Sequence, residues 1–384
     1  MVLLIIFMVT AVVSDFQYNS NVDFELAINA RDEVQAEYNA LSALRVRAMI
    51  LRQSNKLKGG LDQLQKIAGM DMNAMLPIGK MMEMIPVECG ILSSFLSKGG
   101  DGFSEESFDD DPASGEVLSD EEPPLQGECL ATAESEHSKI SINMLRRQSN
   151  RTSKELTAML LAMLSDPKLE RHFQEDDRNG NHAESPEELI GAIQDWVDGN
   201  TEQAISPSSD EENHYDFMDE SYKVKNAPFD SLAELQLVHG VDDDLYEMLS
   251  KNMSIYNDST RIEIATAPPE RIVFWGLPAT IRDGVSLDTI PIEPFAALYN
   301  FLVDSTGIAG LGMGSLNLGM LTTLIQEAGL GAYIDESKLK NVFTDKSSTT
   351  WYTVSAMGRA GNASRRIQAV FQATEGNFYY MRME

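Results

Sequence analysis

The chain has 384 residues, which is enough for two or three domains, and an ordinary apolar fraction of 43%. It carries 60 acidic against 30 basic residues, which gives a net charge of −30. A phosphate backbone would repel so acidic a chain, so the composition argues against a nucleic-acid-binding protein, while it suits metal sites built from oxygen ligands.

The N-terminal sequence predicts one long helix. Its first thirteen residues, MVLLIIFMVTAVV, are almost wholly apolar, and neither glycine nor proline precedes Gly59. Apolar residues then recur at helical spacing up to Leu51. The apolar run has no preceding basic residue, unlike a secretory signal, and it is shorter than the roughly 20 residues of an autonomous membrane span. We expect the first half of this helix to project from any globular body.

The next part of the chain contains predicted strands and both cysteines. PVECGILSSFLS predicts a strand, and CLATAESEHSKISINML predicts a strand, a turn and a strand. Between them, residues 101–128 hold eleven acidic residues and neither lysine nor arginine, which predicts a solvated loop. Cys89 and Cys129 would form one disulfide in an oxidising compartment and would remain two buried thiols in a reducing one.

Helical periodicity dominates from about residue 150 to residue 275. In SPEELIGAIQDWVD, Ser185 is the predicted N-cap and Glu188 follows three residues later. LAELQLVHGVDDDLY predicts two short helices joined at Gly240, which is the pattern of a helix-hairpin-helix. Because three aspartates, residues 242–244, follow the turn, a hairpin that contacts protein is favoured over one that binds a phosphate backbone.

Two groups of carboxylates flank a loop after the second of these helices. Asp195 and Asp198 are three residues apart at the predicted helix end and therefore share a face. Asp210, Glu211 and Glu212 follow after a Ser/Pro loop. Ca²⁺ takes six to eight oxygen ligands in loose geometry and would fit between the two groups, although the register of an EF-hand is missing. The residues alone leave a calcium site and an ordinary acidic surface loop both open.

The C-terminal part mixes helices with strands. EPFAALYNFLVDS and LNLGMLTTLIQEA predict helices, and the tail predicts a three-stranded antiparallel meander. Strands, then helices, then strands indicate an α+β scaffold with a helical insertion. We predict four segments: an N-terminal helix, the first part of the α+β domain, an inserted helical domain, and the second part of the α+β domain (1–58, 59–147, 148–280 and 281–384).

Enzyme signatures are not apparent in this sequence. It contains no HExxH and no GxSxG motif, and GLGMGS lacks the lysine that a phosphate-binding P-loop requires. The residues therefore favour a protein without catalytic activity. A hydrolase in the glycine-rich C-terminal part stays the least supported alternative, since the sequence identifies no nucleophile for it.

Several stretches, in order along the chain, resemble the K-type minor pseudopilin of the bacterial type II secretion system, the general secretion pathway protein K. They are VSDFQYNSNVDFELAINARDEVQAEYNALSAL, SEHSKISINML, LIGAIQDWVDGN, DEENHYDFMDESYKVKNAPFDSLAELQLVHGV, IEIATAPPERIV and WYTVSAMGRAGNASRRIQAVFQAT. The resemblance implies a pilin-like α+β domain on a long N-terminal helix, with an inserted domain of SAM-like helical hairpins.

The resemblance also implies a function and partners. The chain would be a non-enzymatic subunit at the tip of the pseudopilus that initiates or caps the fibre, for export of folded proteins from the periplasm. Its partners would be the I-type and J-type minor pseudopilins, the major pseudopilin and the inner-membrane assembly platform. It would cross the bacterial inner membrane once through its N-terminal helix, with its globular part in the periplasm. The alternative is a membrane-anchored helical-hairpin protein for DNA handling or uptake.

Two residue-level expectations follow from the resemblance. Family members bind calcium in the acidic loop region, and by position the ligands would be Asp195, Asp198, Asp210, Glu211 and Glu212. Most pseudopilins have a glutamate at the fifth mature position, and the K-type is the exception, so Ile5 fits a tip subunit if Met1 is the mature N-terminus. The basic leader that prepilin peptidase removes does not precede residue 1, so processing stays an open expectation.

Overall fold

The computed structural model describes residues 2–68, 86–89, 127–146, 151–174, 183–206, 209–215, 222–306, 316–345 and 350–384. Three predicted features lie outside these ranges: the acidic loop up to residue 126, the strand residues 90–97, and the glycine-rich residues 307–315. Met1 also lies outside them.

The described helices and strands alternate along the chain, and short 3-10 turns connect many of them. The α-helices are α1 (Val2–Ala68), α2 (Arg151–Leu164), α3 (Pro186–Val197), α4 (Asp243–Asn252), α5 (Ile292–Thr306), α6 (Leu318–Glu327) and α7 (Glu336–Val342). The strands are β1 (Val87–Glu88), β2 (Glu128–Ser135), β3 (Ile140–Ser141), β4 (Met253–Ser254), β5 (Ile262–Glu263), β6 (Phe343–Thr344), β7 (Trp351–Ala360), β8 (Ala363–Gln372) and β9 (Asn377–Met383).

The first of two compact units combines α1 with a five-stranded sheet. It comprises Met1–Leu64, Met81–Ala133 and Tyr352–Glu384, and we call it the pilin-like unit. The strand order is β1-β2-β7-β8-β9, so the predicted C-terminal meander forms one side of the sheet. One face of α1 packs on the sheet through Ala40, Leu44 and Leu51. The predicted α+β class, with a long N-terminal helix and an antiparallel sheet, is confirmed.

The first turns of α1 lie outside this core. Described apolar side chains from Val2 to Phe24 are exposed, and Ile5 itself is 58% exposed. Among the helices that the structure describes, none combines the length and the apolar character needed to cross a membrane. The helix becomes buried only from Asp32 onward, where alanines at residues 36, 40 and 43 bring its backbone close to the sheet.

Gly358 of β7 lies against the backbone of α1. A Cβ there would lie 2.1 Å from the Ala36 carbonyl oxygen and 2.5 Å from the Ala40 nitrogen. Since both atoms belong to helical backbone, Gly358→Ala is expected to lower the free energy of unfolding by about 1–3 kcal/mol. Gly60→Ala on the same helix is the matched control, because a Cβ there meets nothing within 4 Å. Urea unfolding followed by circular dichroism checks both, and equal midpoints for Gly358→Ala and the parent would contradict this packing.

Cys89 and Cys129 form a disulfide within the pilin-like unit. β1 pairs with β2 in antiparallel register, Val87 opposite Ala131 and Glu88 opposite Leu130. The same register brings Cys89 opposite Cys129, so the bridge joins the edge strand to its neighbour.

The second compact unit is mostly helical. It comprises Gln65–Lys80 and Glu134–Trp351, and we call it the helical unit. The predicted boundary of the insertion, 148–280, is therefore too narrow. α5, α6 and α7 contribute buried side chains to the same hydrophobic core as α2 and α3, among them Leu298, Ile325 and Leu339. β5 also pairs in parallel with β6, which ties Ile262 to Phe343. Shared burial and this long-range pairing place the segment up to residue 351 in the helical unit.

A buried ionic network joins two of the sequence stretches that carry the family resemblance. The Arg271 guanidinium donates to Ser138 Oγ at 2.9 Å and pairs with Glu134 at 2.6 Å. Lys139 pairs with Glu136 at 2.6 Å. Because buried charges require partners, SEHSK and PPERIV depend on each other although more than a hundred residues separate them.

Candidate metal centre

The candidate metal centre begins at the C-terminal end of α3. Ser185 caps the helix as predicted, since its hydroxyl accepts from the Glu188 N–H at 3.2 Å. Twelve residues later the helix ends, with Asp195 in its last turn and Asp198 as the C-cap. The C-terminal end of a helix carries partial negative charge, so two carboxylates there are unfavourable unless a cation or donors compensate them.

The loop after α3 folds back so that Glu211 reaches these aspartates. The Ala204 N–H donates to Asp195 Oδ1 at 2.7 Å, and the Asn200 N–H donates to Asp198 Oδ1 at 3.2 Å. An isolated antiparallel bridge between Glu202 and Asp210 then aligns the returning segment. These local bonds position the third carboxylate of the site.

Asp195, Asp198 and Glu211 form a buried carboxylate triad. One oxygen of each lies within 4.8 Å of the others, and the three side chains are 6%, 5% and 1% exposed. Ca²⁺–oxygen distances of about 2.3–2.6 Å place ligands on opposite sides of the ion about 5 Å apart, so the spacing fits calcium. Glu211 Oε1 is buried and has no hydrogen-bond donor among the described residues, so it is an acceptor available to a cation.

The carboxylates of the triad have perturbed pKa values in the metal-free protein. Burial, reinforced by the neighbouring charges of Asp195 and Asp198, raises the pKa of Glu211 to about 8. Burial raises the pKa of Asp195 to about 6, against the opposing hydrogen bond from Ala204. Burial also raises the pKa of Asp198. Without a cation, the site therefore takes up protons near neutral pH, because three buried like charges repel one another.

The other two predicted ligands lie elsewhere. Asp210 is exposed, and its carboxylate caps the following turn by accepting from the Glu212 N–H at 3.1 Å. Glu212 pairs with Lys223 at 3.1 Å. The structure thus brings together three of the five predicted residues, because adjacent residues of a turn point in different directions.

Asn226 is a polar neighbour of the triad that the sequence reasoning did not identify. Two acceptors face one end of its side-chain amide, Glu211 Oε2 at 2.9 Å and the Asp195 main-chain carbonyl at 3.1 Å. This end is therefore assigned as the NH₂ group, which donates to both. No spacing rule connects Asn226 with Asp195, and no motif surrounds it, so the sequence carries no signal for this contact.

The Gly240 turn lacks the features of a phosphate-binding hairpin. Gly240 has φ +82°, and a Cβ there would lie 2.7 Å from that of Ala183. The N-terminal amides of α4 are capped by Asp242, whose Oδ1 accepts from the Leu245 N–H at 2.7 Å. Oδ2 of the same carboxylate pairs with His172. A phosphate would have to displace an anionic cap, so the structure does not favour the DNA-handling alternative.

Together these features define a pilin-like α+β protein that carries a large helical unit with a buried carboxylate triad. Residues 138–258, which include the triad, match the family model described as type II secretion system (T2SS), protein K. The predicted family is thereby confirmed for this segment, which is about a third of the chain. No curated protein matches the chain.

One chain from a solved structure is similar to this chain over part of its length. It is from the crystal structure of the GspK-GspI-GspJ complex of the enterotoxigenic Escherichia coli type 2 secretion system. The match covers 77% of this chain and 93% of that chain, with 11% sequence identity and a TM-score of 0.43.

Proposed function

We propose that the chain is the tip subunit of the pseudopilus, where it initiates or caps the fibre and has no catalytic activity. The observation that carries this proposal is the match of the helical unit to the protein K family.

The partners proposed for this role are the I-type and J-type minor pseudopilins. The chain titled GspK in the similar solved structure is in a complex with GspI and GspJ. The major pseudopilin and the inner-membrane assembly platform follow as further partners of the same fibre, and prepilin peptidase follows if the chain has a leader.

The proposed location is the inner membrane, with α1 as a single-pass anchor and the globular units in the periplasm. The exposed apolar side chains of the first turns of α1 need cover by lipid or by neighbouring helices, which supports this placement. The Cys89–Cys129 disulfide suits an oxidising compartment such as the periplasm.

Complex formation tests the tip proposal. The chain from residue 25 onward retains every described buried side chain of α1, so it is suitable for mixing with the soluble parts of I-type and J-type partners. We expect a stable complex on size exclusion with both partners present. The major pseudopilin alone is the comparison, and it should not form the same complex. Elution of all three components as separate species would overturn the proposal.

A calcium ion held by Asp195, Asp198 and Glu211 is proposed as a structural cofactor. The buried and unpartnered Glu211 Oε1 carries this proposal, because a buried acceptor without a donor costs about 1–3 kcal/mol unless something compensates it. The ion would supply the positive charge that the triad lacks. It would also tie the end of α3 to the returning segment 209–215.

A further inference from the structure

Asn226 lies in an unusual backbone conformation beside the triad. Among the described residues it is the one non-glycine residue with a positive φ, +49°. Asparagine tolerates this left-handed region better than most residues, since its side chain is short and polar. The conformation directs its amide at the Glu211 carboxylate and the Asp195 carbonyl.

The segment around Asn226 is held by contacts that do not involve the triad. The Lys225 ammonium pairs with Glu234 at 2.8 Å. The main chain of Phe229 exchanges two hydrogen bonds with the Asn143 side chain, at 2.7 and 3.1 Å. The Asn226 backbone is therefore positioned without a metal, and its side chain needs only a rotation to change what it presents.

The proposed calcium ion needs more oxygens than the triad can offer freely. Ca²⁺ takes six to eight oxygens, and side-chain amide and main-chain carbonyl oxygens are among its usual ligands. One oxygen of Asp195 and one of Asp198 already accept main-chain N–H bonds. Neutral oxygens close to the triad are therefore required, and the Asn226 amide lies within hydrogen-bond distance of one of its carboxylates.

We propose that Asn226 is a calcium ligand and that its amide turns over when the ion binds. Without calcium, the NH₂ group donates to Glu211 Oε2 and to the Asp195 carbonyl. With calcium, a half-turn about the last side-chain bond presents the amide oxygen at the same point. The two ends of the amide have nearly the same shape, so the exchange requires no backbone movement. This inference rests on the proposed calcium site.

Two substitutions at one position separate a ligand from a hydrogen-bond donor. Asn226→Asp keeps the oxygen and removes the NH₂ group, whereas Asn226→Gly keeps the left-handed backbone and removes both. If the Asn226 amide oxygen is a calcium ligand, Asn226→Asp should bind calcium at least as tightly as the parent. Asn226→Gly should then bind calcium about tenfold or more weakly than the parent. In chelator, Asn226→Asp should melt below the parent, because a fourth carboxylate then faces the triad.

The measurement is calcium chloride titrated into the chelator-stripped full chain in mild detergent, by calorimetry, with melting curves alongside. Glu212→Gln is the matched control, since that side chain pairs with Lys223 and lies outside the triad. If the parent binds calcium and Asn226→Asp binds as weakly as Asn226→Gly, the amide is only a donor and the ligand role is overturned. If the parent binds no calcium, the calcium site fails, and the ligand role fails with it.

Discussion

At pH 8, removal of calcium with a chelator is expected to lower the melting temperature of the chain by about 5–10 °C. Calcium present at about 100 times its dissociation constant contributes about 2.7 kcal/mol, which corresponds to about this shift for a domain of 150–250 residues. The physical reason is the triad, in which three buried carboxylates repel one another without a cation.

The size of this effect should depend on pH. The folded pKa values of Glu211, about 8, and Asp195, about 6, lie above the ordinary values of these groups, 4.5 and 3.8. The metal-free folded chain therefore holds protons that the unfolded chain has released. These two carboxyl groups contribute to the free energy of unfolding of the metal-free chain. Their contribution is fully present below about pH 4 and is lost as pH rises through 6 to 8. Calcium needs ionised carboxylates, so its contribution grows over the same range, and the chelator should have little effect at pH 5.

A pair of glutamine substitutions controls this prediction. Glu211→Gln removes one of the three charges, so the metal-free chain should melt higher at pH 8 and should no longer respond to calcium. Glu212→Gln changes the adjacent carboxylate, which pairs with Lys223 outside the triad, and should leave the calcium response intact. Identical melting curves with and without chelator at pH 8 would show that no stabilising ion binds there.

Loss of the Cys89–Cys129 disulfide is expected to lower the free energy of unfolding of the pilin-like unit by about 4 kcal/mol. The bridge closes a loop across a sequence separation of 40 residues, and the loss of loop-closure entropy in the unfolded chain gives this magnitude. A local effect adds to it, because β1 is only two residues long and the bridge fastens it to β2.

The double substitution Cys89→Ala and Cys129→Ala tests the disulfide without adding a reductant. Urea unfolding should begin at a lower concentration than in the parent, and dithiothreitol should lower the parent to the same midpoint while leaving the double variant unchanged. The response to calcium depends on residues of the helical unit, so it should be the same in the parent and in the double variant, and it serves as the internal control. The disulfide does not stabilise the protein if dithiothreitol leaves the urea midpoint of the parent unchanged and this midpoint equals that of the double variant.

Local features of the site could be read from the sequence. Ser185 and Glu188 indicate where α3 begins, since capping depends on residues three apart. The i, i+3 spacing of Asp195 and Asp198 places both on one face at the helix end. The return of acidic residues after a loop predicts Glu211 as one candidate ligand among three neighbours. The choice among residues 210–212 depends on the direction of each side chain in a short turn, and composition does not encode it.

The boundary of the helical unit shows where sequence patterns fail. The apolar spacing of α5 correctly predicts a helix, but the order of elements along the chain places it wrongly in the pilin-like domain. Its membership depends on which core buries Leu298 and Leu302, and on the pairing of Ile262 with Phe343 across about eighty residues. A periodic pattern indicates that a helix has an apolar face, but it does not indicate which other surface covers that face.

The sequence by itself determined the long N-terminal helix, the C-terminal meander, the acidic character of the metal region and the resemblance to protein K. These features could be predicted because periodicity, caps and ordered motifs are local properties of the chain. Only the tertiary structure decided that Glu211, and not its neighbours, completes the triad, that Asn226 faces it, and that three C-terminal helices belong to the helical unit. Those outcomes depend on contacts between residues far apart in sequence, whose energies arise only when burial brings the groups together.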